Sequence, residues 1–79
     1  MPKSTFTSEY RVFASLLRET REHAGVTQIA LAKKLRQTQS YVSKVERGER
    51  RLDIVQLRWW CTALGTAASA FVREFERRL

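Results

Sequence analysis

The stretch TQIALAKKLRQTQSYVSKVERG, residues 27–48, holds two short amphipathic patterns separated by only a few residues. In the first, Thr27 has the side chain of a helix N-cap, and Leu31, Ala32 and Leu35 fall on one buried stripe while Gln28, Lys33 and Lys34 stay in water. The turn is Arg36, Gln37 and Thr38. Thr38 is again a good N-cap, for a helix from about Gln39 to Arg47 that Gly48 closes. That second helix shows Val42 and Val45 to a core. Its other positions carry Gln39, Ser40, Ser43, Lys44 and Arg47, residue types able to reach base edges and phosphates.

This is the layout of a helix-turn-helix that binds DNA. The charge balance agrees. Fifteen Lys and Arg against eight Asp and Glu give a formal charge of +7 in 79 residues, and the pI is near 10.5. Neutralising phosphates releases condensed counterions, so such a chain favours a polyanionic partner, duplex DNA ahead of an anionic membrane. No apolar run approaches the roughly 20 residues that span a bilayer, and nothing near Met1 reads as a signal peptide, so a cytoplasmic protein without membrane contact is expected. A chain this short buries only about 60% of its unfolded surface, which predicts marginal stability or dimerisation. Cys61 is the only cysteine; it forms no intramolecular disulfide, leaves zinc without its usual ligand set, and reads as buried packing. The single histidine, His23, reads as a surface residue. With no nucleophile–base pair, phosphate-cradling loop or ligand cluster, neither an enzyme nor a metal or cofactor site is expected.

Outward from the central stretch, residues 1–7 form a polar leader expected to be flexible, and residues 8–79 one domain. Ser8 is a plausible cap for a long first helix, with Tyr10, Phe13, Leu16, Leu17, Thr20 and Ala24 at helical spacing up to Gly25. Beyond Glu49, Arg50 and Arg51, Asp53 caps a fourth helix with Leu57, Trp60, Cys61 and Leu64 at core spacing, ending at Gly65. A fifth pattern, from Ala67 to Leu79, spaces Phe71, Phe75 and Leu79 four residues apart with arginines between them.

With Leu17-Arg18-Glu19 and Arg21, then Gly25-Val26-Thr27-Gln28, Leu31-Ala32, the run from Ser40 to Arg50, and Leu57 with Ala63-Leu64-Gly65, the chain resembles the Cro and lambda-repressor-like helix-turn-helix family, also called the XRE family, over roughly residues 12–72. The resemblance implies an all-α, five-helix lambda-repressor-like domain. It implies that Gln28, starting helix two, holds a phosphate, and that Gln39, Ser40, Ser43 and Lys44 face the major groove. Helix N-termini offer free N–H groups to phosphates, Gln suits adenine N6 and N7, and Lys44 suits guanine or a phosphate. Thr38 and Tyr41 join this expected DNA-binding set; Tyr41 either touches a sugar or a thymine methyl, or covers the core edge. Arg47, Arg50 and Arg51 form the densest basic cluster, placed to follow the backbone or simply to aid solubility. The family pattern pairs Glu46 with Arg21 as a structural ion pair. Three positions depart from it: Arg36 where Gly or Asn is usual, Gln37 where an aliphatic residue is usual, and Trp59 where polar residues are tolerated.

The reading is a sequence-specific transcriptional regulator whose partner is double-stranded DNA, with no small-molecule ligand implied. An outward Trp59, with Phe75 and Leu79 or with Ile54 and Val55, would make a homodimer that sets two recognition helices about 34 Å apart on a palindromic operator. The alternative is that helix five folds back over Trp59. The competing function is a protein-interaction module or antitoxin whose main partner is another protein. Phage repressor, restriction-modification controller and antitoxin look alike at this length.

Overall fold

A computed structural model describes residues 3–79, with side chains from Ser8 onward. All regular structure among them is helical: α1 Lys3–His23, α2 Gln28–Leu35, α3 Gln39–Glu46, α4 Ile54–Ala63 and α5 Ala68–Arg78. Helix α1 starts five residues before the expected cap, so Ser8 lies inside it and the expected boundary between residues 7 and 8 falls within a continuous helix. Nothing from Lys3 to Thr7 is a Gly or Pro, so the helix has no reason to stop there. Met1 and Pro2 lie outside the described residues.

The two amphipathic stripes of the central stretch pack as their spacing requires. Leu31, Val42 and Val45 are wholly buried and meet Leu17 of α1 and Trp60 and Cys61 of α4. Trp60 anchors this cluster, and truncating so large a buried side chain typically costs 3–5 kcal/mol. Phe71 closes the cluster from α5, and Phe13 of α1 meets it edge-on at 5.5 Å between ring centroids. On α1 the buried face is Ala14, Leu16, Leu17 and Arg21, whereas Ala24 is exposed beyond the helix end. Thr20 is half-buried and donates its hydroxyl to the Leu16 carbonyl at 2.7 Å.

The caps fix where each helix begins. Thr27 Oγ1 accepts the Ala30 N–H and Thr38 Oγ1 the Tyr41 N–H, each at 3.0 Å. Asp53 and Gln56 form a reciprocal capping box at 2.8 Å in both directions, a device that stabilises a helix start by about 1 kcal/mol.

Helices α1 to α4 share one kind of ending, with a left-handed residue whose N–H returns to the last turn and a next residue whose N–H reaches five residues back. Three of these left-handed residues are Gly25, Gly48 and Gly65, and the fourth is Arg36 at φ 57°. The Arg36 N–H reaches the Lys33 carbonyl at 3.2 Å and the Gln37 N–H the Ala32 carbonyl at 2.9 Å. The turn therefore keeps its regular hydrogen bonds while a Cβ occupies a conformation that disfavours it by about 1 kcal/mol. Gln37 is exposed and contributes no apolar contact to this ending.

Candidate nucleic-acid interface

With Val42 and Val45 buried, α3 turns the exposed Gln39, Ser40 and Lys44 and the half-buried Ser43 outward. Arg47 follows as its C-cap rather than its last helical residue. A polar relay joins this face to the core. The two oxygens of Glu46 accept Arg21 Nε at 2.6 Å and Nη2 at 2.9 Å, and Arg21 Nη1 reaches the Val26 carbonyl at 2.9 Å. Gln28 Nε2 donates to Glu46 Oε1 at 3.0 Å, and Gln39 Nε2 to Gln28 Oε1 at 3.3 Å.

Arg21 and Glu46 are 8% and 9% exposed, so the pair is bought with desolvation and fixes geometry more than it adds stability. Its hydrogen bonds to Glu46 push the Arg21 guanidinium pKa further up, keeping it charged. Glu46, although on α3, is thereby paired and buried rather than presented on the outward polar face. The relay also occupies one donor of Gln28, the residue expected on a phosphate, and holds the Gln39 amide from one side.

The basic cluster is built on two aromatic rings. Arg50 lies over the ring of Tyr41 with its guanidinium carbon 5.2 Å from the centroid, and Arg51 over Tyr10 at 4.6 Å. Tyr41 in turn tilts against Trp60 at 6.3 Å, so it covers the core edge and steadies Arg50 at once. The Tyr10 hydroxyl accepts the Leu52 N–H at 3.3 Å, which ties α1 to the loop between α3 and α4. Burial pushes the Tyr10 phenol up. Sequence reasoning placed Tyr10 in the core face but missed this clasp, which joins residues 42 apart.

Arg47 is held differently. Its Nε and Nη2 donate to Glu49 at 2.9 and 3.3 Å, and its Nη1 to Ser43 Oγ at 2.5 Å. Glu49, which the sequence reading passed over as a loop charge, thus sits at the interface as a carboxylate engaging one of its cations. The Arg47 guanidinium in turn lowers the Glu49 carboxyl pKa.

On α4, Trp59 is 58% exposed and Ile54 67%, with Val55 also open, as is Leu79 after α5. Helix α5 does not fold over Trp59. It packs on both α4 and α1, and on α1 Phe75 meets Phe13 at 5.8 Å and Arg78 forks onto Glu19 at 2.9 and 3.0 Å. Phe75 is therefore half-buried within the monomer, which leaves Trp59, Ile54 and Val55 as the open apolar stretch on α4.

The helix-turn-helix domain family matches the chain over residues 12–71. The structure of an XRE-family-like protein from Pseudomonas syringae pv. tomato is similar at TM-score 0.87 and 38% identity, over 96% of this chain and 93% of that one. The chain belongs to the XRE-like helix-turn-helix family. Another family-like structure is the clp gene regulator ClgR from Corynebacterium glutamicum, at TM-score 0.81 and 28% identity, covering 90% of this chain and 92% of that one. HppE, solved with FeII and substrate, is similar over 76% of this chain but only 35% of its own, at TM-score 0.69 and 36% identity. Among curated proteins there is no match. Within the XRE-like frame, Arg36 stands out as the left-handed turn residue that carries a side chain. Among the described residues no group of three His, Cys, Asp or Glu side chains is placed to hold a metal, and no helix is long and apolar enough to cross a membrane.

Proposed function

We propose that the protein is a sequence-specific, double-stranded-DNA-binding transcriptional regulator that works in the cytoplasm as a homodimer on a palindromic operator. The observation that carries this reading is the outward polar face of α3, capped by Thr38 and braced from the core through Arg21, Glu46 and Gln28. Pre-set side chains lose little freedom on binding, and that is what base readout needs. Gln39 is assigned to a base edge, Ser40, Ser43 and Lys44 to bases or adjacent phosphates, and Gln28 to a phosphate through the amide hydrogen that Glu46 leaves unused. Arg47, Arg50 and Arg51 follow the backbone. The name of the relative ClgR, a gene regulator, supports the same assignment.

Dimerisation is assigned to the α4 stretch Ile54, Val55 and Trp59, with Leu79 nearby in sequence to α5; Phe75 serves the monomer. The exposed Trp59 also supports a second reading, a module that docks on another protein. Selection from a random duplex pool at two salt concentrations separates the two. A regulator enriches a palindrome that survives moderate salt, with each mismatch costing about 1–3 kcal/mol. A protein-interaction module enriches no motif, and its binding to duplex vanishes with salt.

A further inference from the structure

Between the α2–α3 turn and α4 lies a cavity of about 620 Å³, open on one side. Its rim carries Lys34, Arg36 and Arg58, and its walls Tyr41, Trp59 and Trp60. Its lining holds no Asp or Glu. Asp53, the acid nearest in sequence on α4's side, is engaged in capping that helix. None of the three rim cations takes part in the ion pairs formed by Arg18, Arg21, Arg47, Arg77 and Arg78. Trp60 is 1% exposed, and its indole Nε1 meets no acceptor among the described residues.

From this combination we infer that the cavity is a binding site for a free aromatic carboxylate. The volume lies within the range of about 300–1,000 Å³ usual for small-molecule sites. The exposed indole of Trp59 offers stacking to a planar ring, and guanidinium groups offer a carboxylate charge-assisted, bidentate hydrogen bonds. A ring alone would leave the three cations unanswered, and an anion alone would leave the face of Trp59, exposed in the single chain, without a stacking partner. A ligand that carries both groups answers both. The inference does not depend on the DNA-binding reading, because the site is tested with no DNA present.

The test is calorimetric titration of the full chain with 2-naphthoate, and with 2-naphthamide as its uncharged counterpart. Arg58→Gln and Lys34→Gln serve as variants, since both residues are exposed and neither takes part in an ion pair of the fold; melting curves confirm that they fold. The expected result is saturable binding of 2-naphthoate, at least about ten-fold weaker for 2-naphthamide and for Arg58→Gln, with a matching change in Trp59 fluorescence that Trp59→Phe removes. Absence of saturation by low millimolar 2-naphthoate overturns the inference. So does equal binding of the amide, or binding untouched in both variants. If a blocked Asp-Trp dipeptide binds more tightly than 2-naphthoate, the site takes a protein segment and the assignment to a free acid is wrong.

Discussion

Arg21 and Glu46, 25 residues apart, meet fork to fork at 2.6 and 2.9 Å, and the same carboxylate takes an N–H from Gln28. One buried pair therefore sets both how α3 leans on α1 and where the first side chains of α2 and α3 stand. Removing one partner strands a buried charge, so Arg21→Met is expected to destabilise the fold by roughly 3–5 kcal/mol. Replacing both with apolar residues, Arg21→Met with Glu46→Leu, should recover most of that loss yet weaken sequence preference, because Gln28 and Gln39 lose their brace. Urea unfolding and duplex titration of the same proteins check both halves.

Arg36 adopts φ 57° where the other comparable helix ends use glycine. Arg36→Gly should add about 1 kcal/mol, which for a domain of this size raises Tm by roughly 4–8 °C. It also removes a cation beside the recognition helix, so duplex affinity should fall while stability rises. Thermal melting and anisotropy give the two signs. A higher Tm with unchanged affinity would show that the strain at Arg36 serves no binding purpose.

If Arg47 follows the DNA backbone as proposed, Glu49 competes with phosphate for its guanidinium. Glu49→Gln should free that guanidinium, tighten binding to non-specific duplex and steepen the dependence of log affinity on log salt by up to about one phosphate contact, a slope change near −0.9. Titrations of a random duplex over a salt series measure it. An unchanged slope means that Arg47 does not reach DNA.

Two acids with depressed pKa values hold the end of α5: Glu19 reaches across from α1 to Arg78, and Glu74 pairs with Arg77 and Arg78 within α5 itself. Hydrogen bonds from Arg77 and Arg78 hold the Glu74 carboxyl down to about 2, and Arg78 lowers that of Glu19. A carboxylate with a folded pKa below its unfolded one contributes stability above the unfolded value and loses it as pH falls through the folded one. The Glu74 pairs that hold the last turn of α5 are thus complete above about pH 4.5 and fade towards pH 2. Both acids are solvent-screened, so the effect is local fraying. Amide exchange of α5 should accelerate over that window in the wild type, and Glu74→Gln should flatten the change.

Trp59→Glu tests the proposed dimer surface. Analytical ultracentrifugation should show the wild type dimeric at micromolar concentration and the variant monomeric, with the melting temperature little changed because Trp59 lies outside the core. A wild type that stays monomeric removes the solution dimer from the account.

Much of this architecture is legible in local pattern. Thr27, Thr38 and Asp53 are caps whose neighbours have the right spacing, and Val42, Val45, Trp60 and Cys61 lie at core intervals, so periodicity alone places α2, α3 and α4. What escapes is non-local or lacks a stop signal. Ser8 looks like a helix start, but no residue from Lys3 to Thr7 breaks the helix. Phe75 looks outward until the ring of Phe13 is known to face it. The Tyr10–Leu52 hydrogen bond and the Arg47–Glu49 clamp depend on loop paths that spacing does not encode, and the cavity beside Trp59 arises only when the α2–α3 turn and α4 are placed together.

The most direct test of the account compares the operator preferences of wild type and Gln39→Ala, by selection from a random duplex pool followed by titration of single-base variants. Base readout by α3 predicts that the variant folds normally, keeps its salt-dependent affinity for any duplex, and loses discrimination at one position of each half-site by about 1–3 kcal/mol. An unaltered preference at every position would contradict the central claim that Gln39, at the end of the relay from Arg21, reads a base.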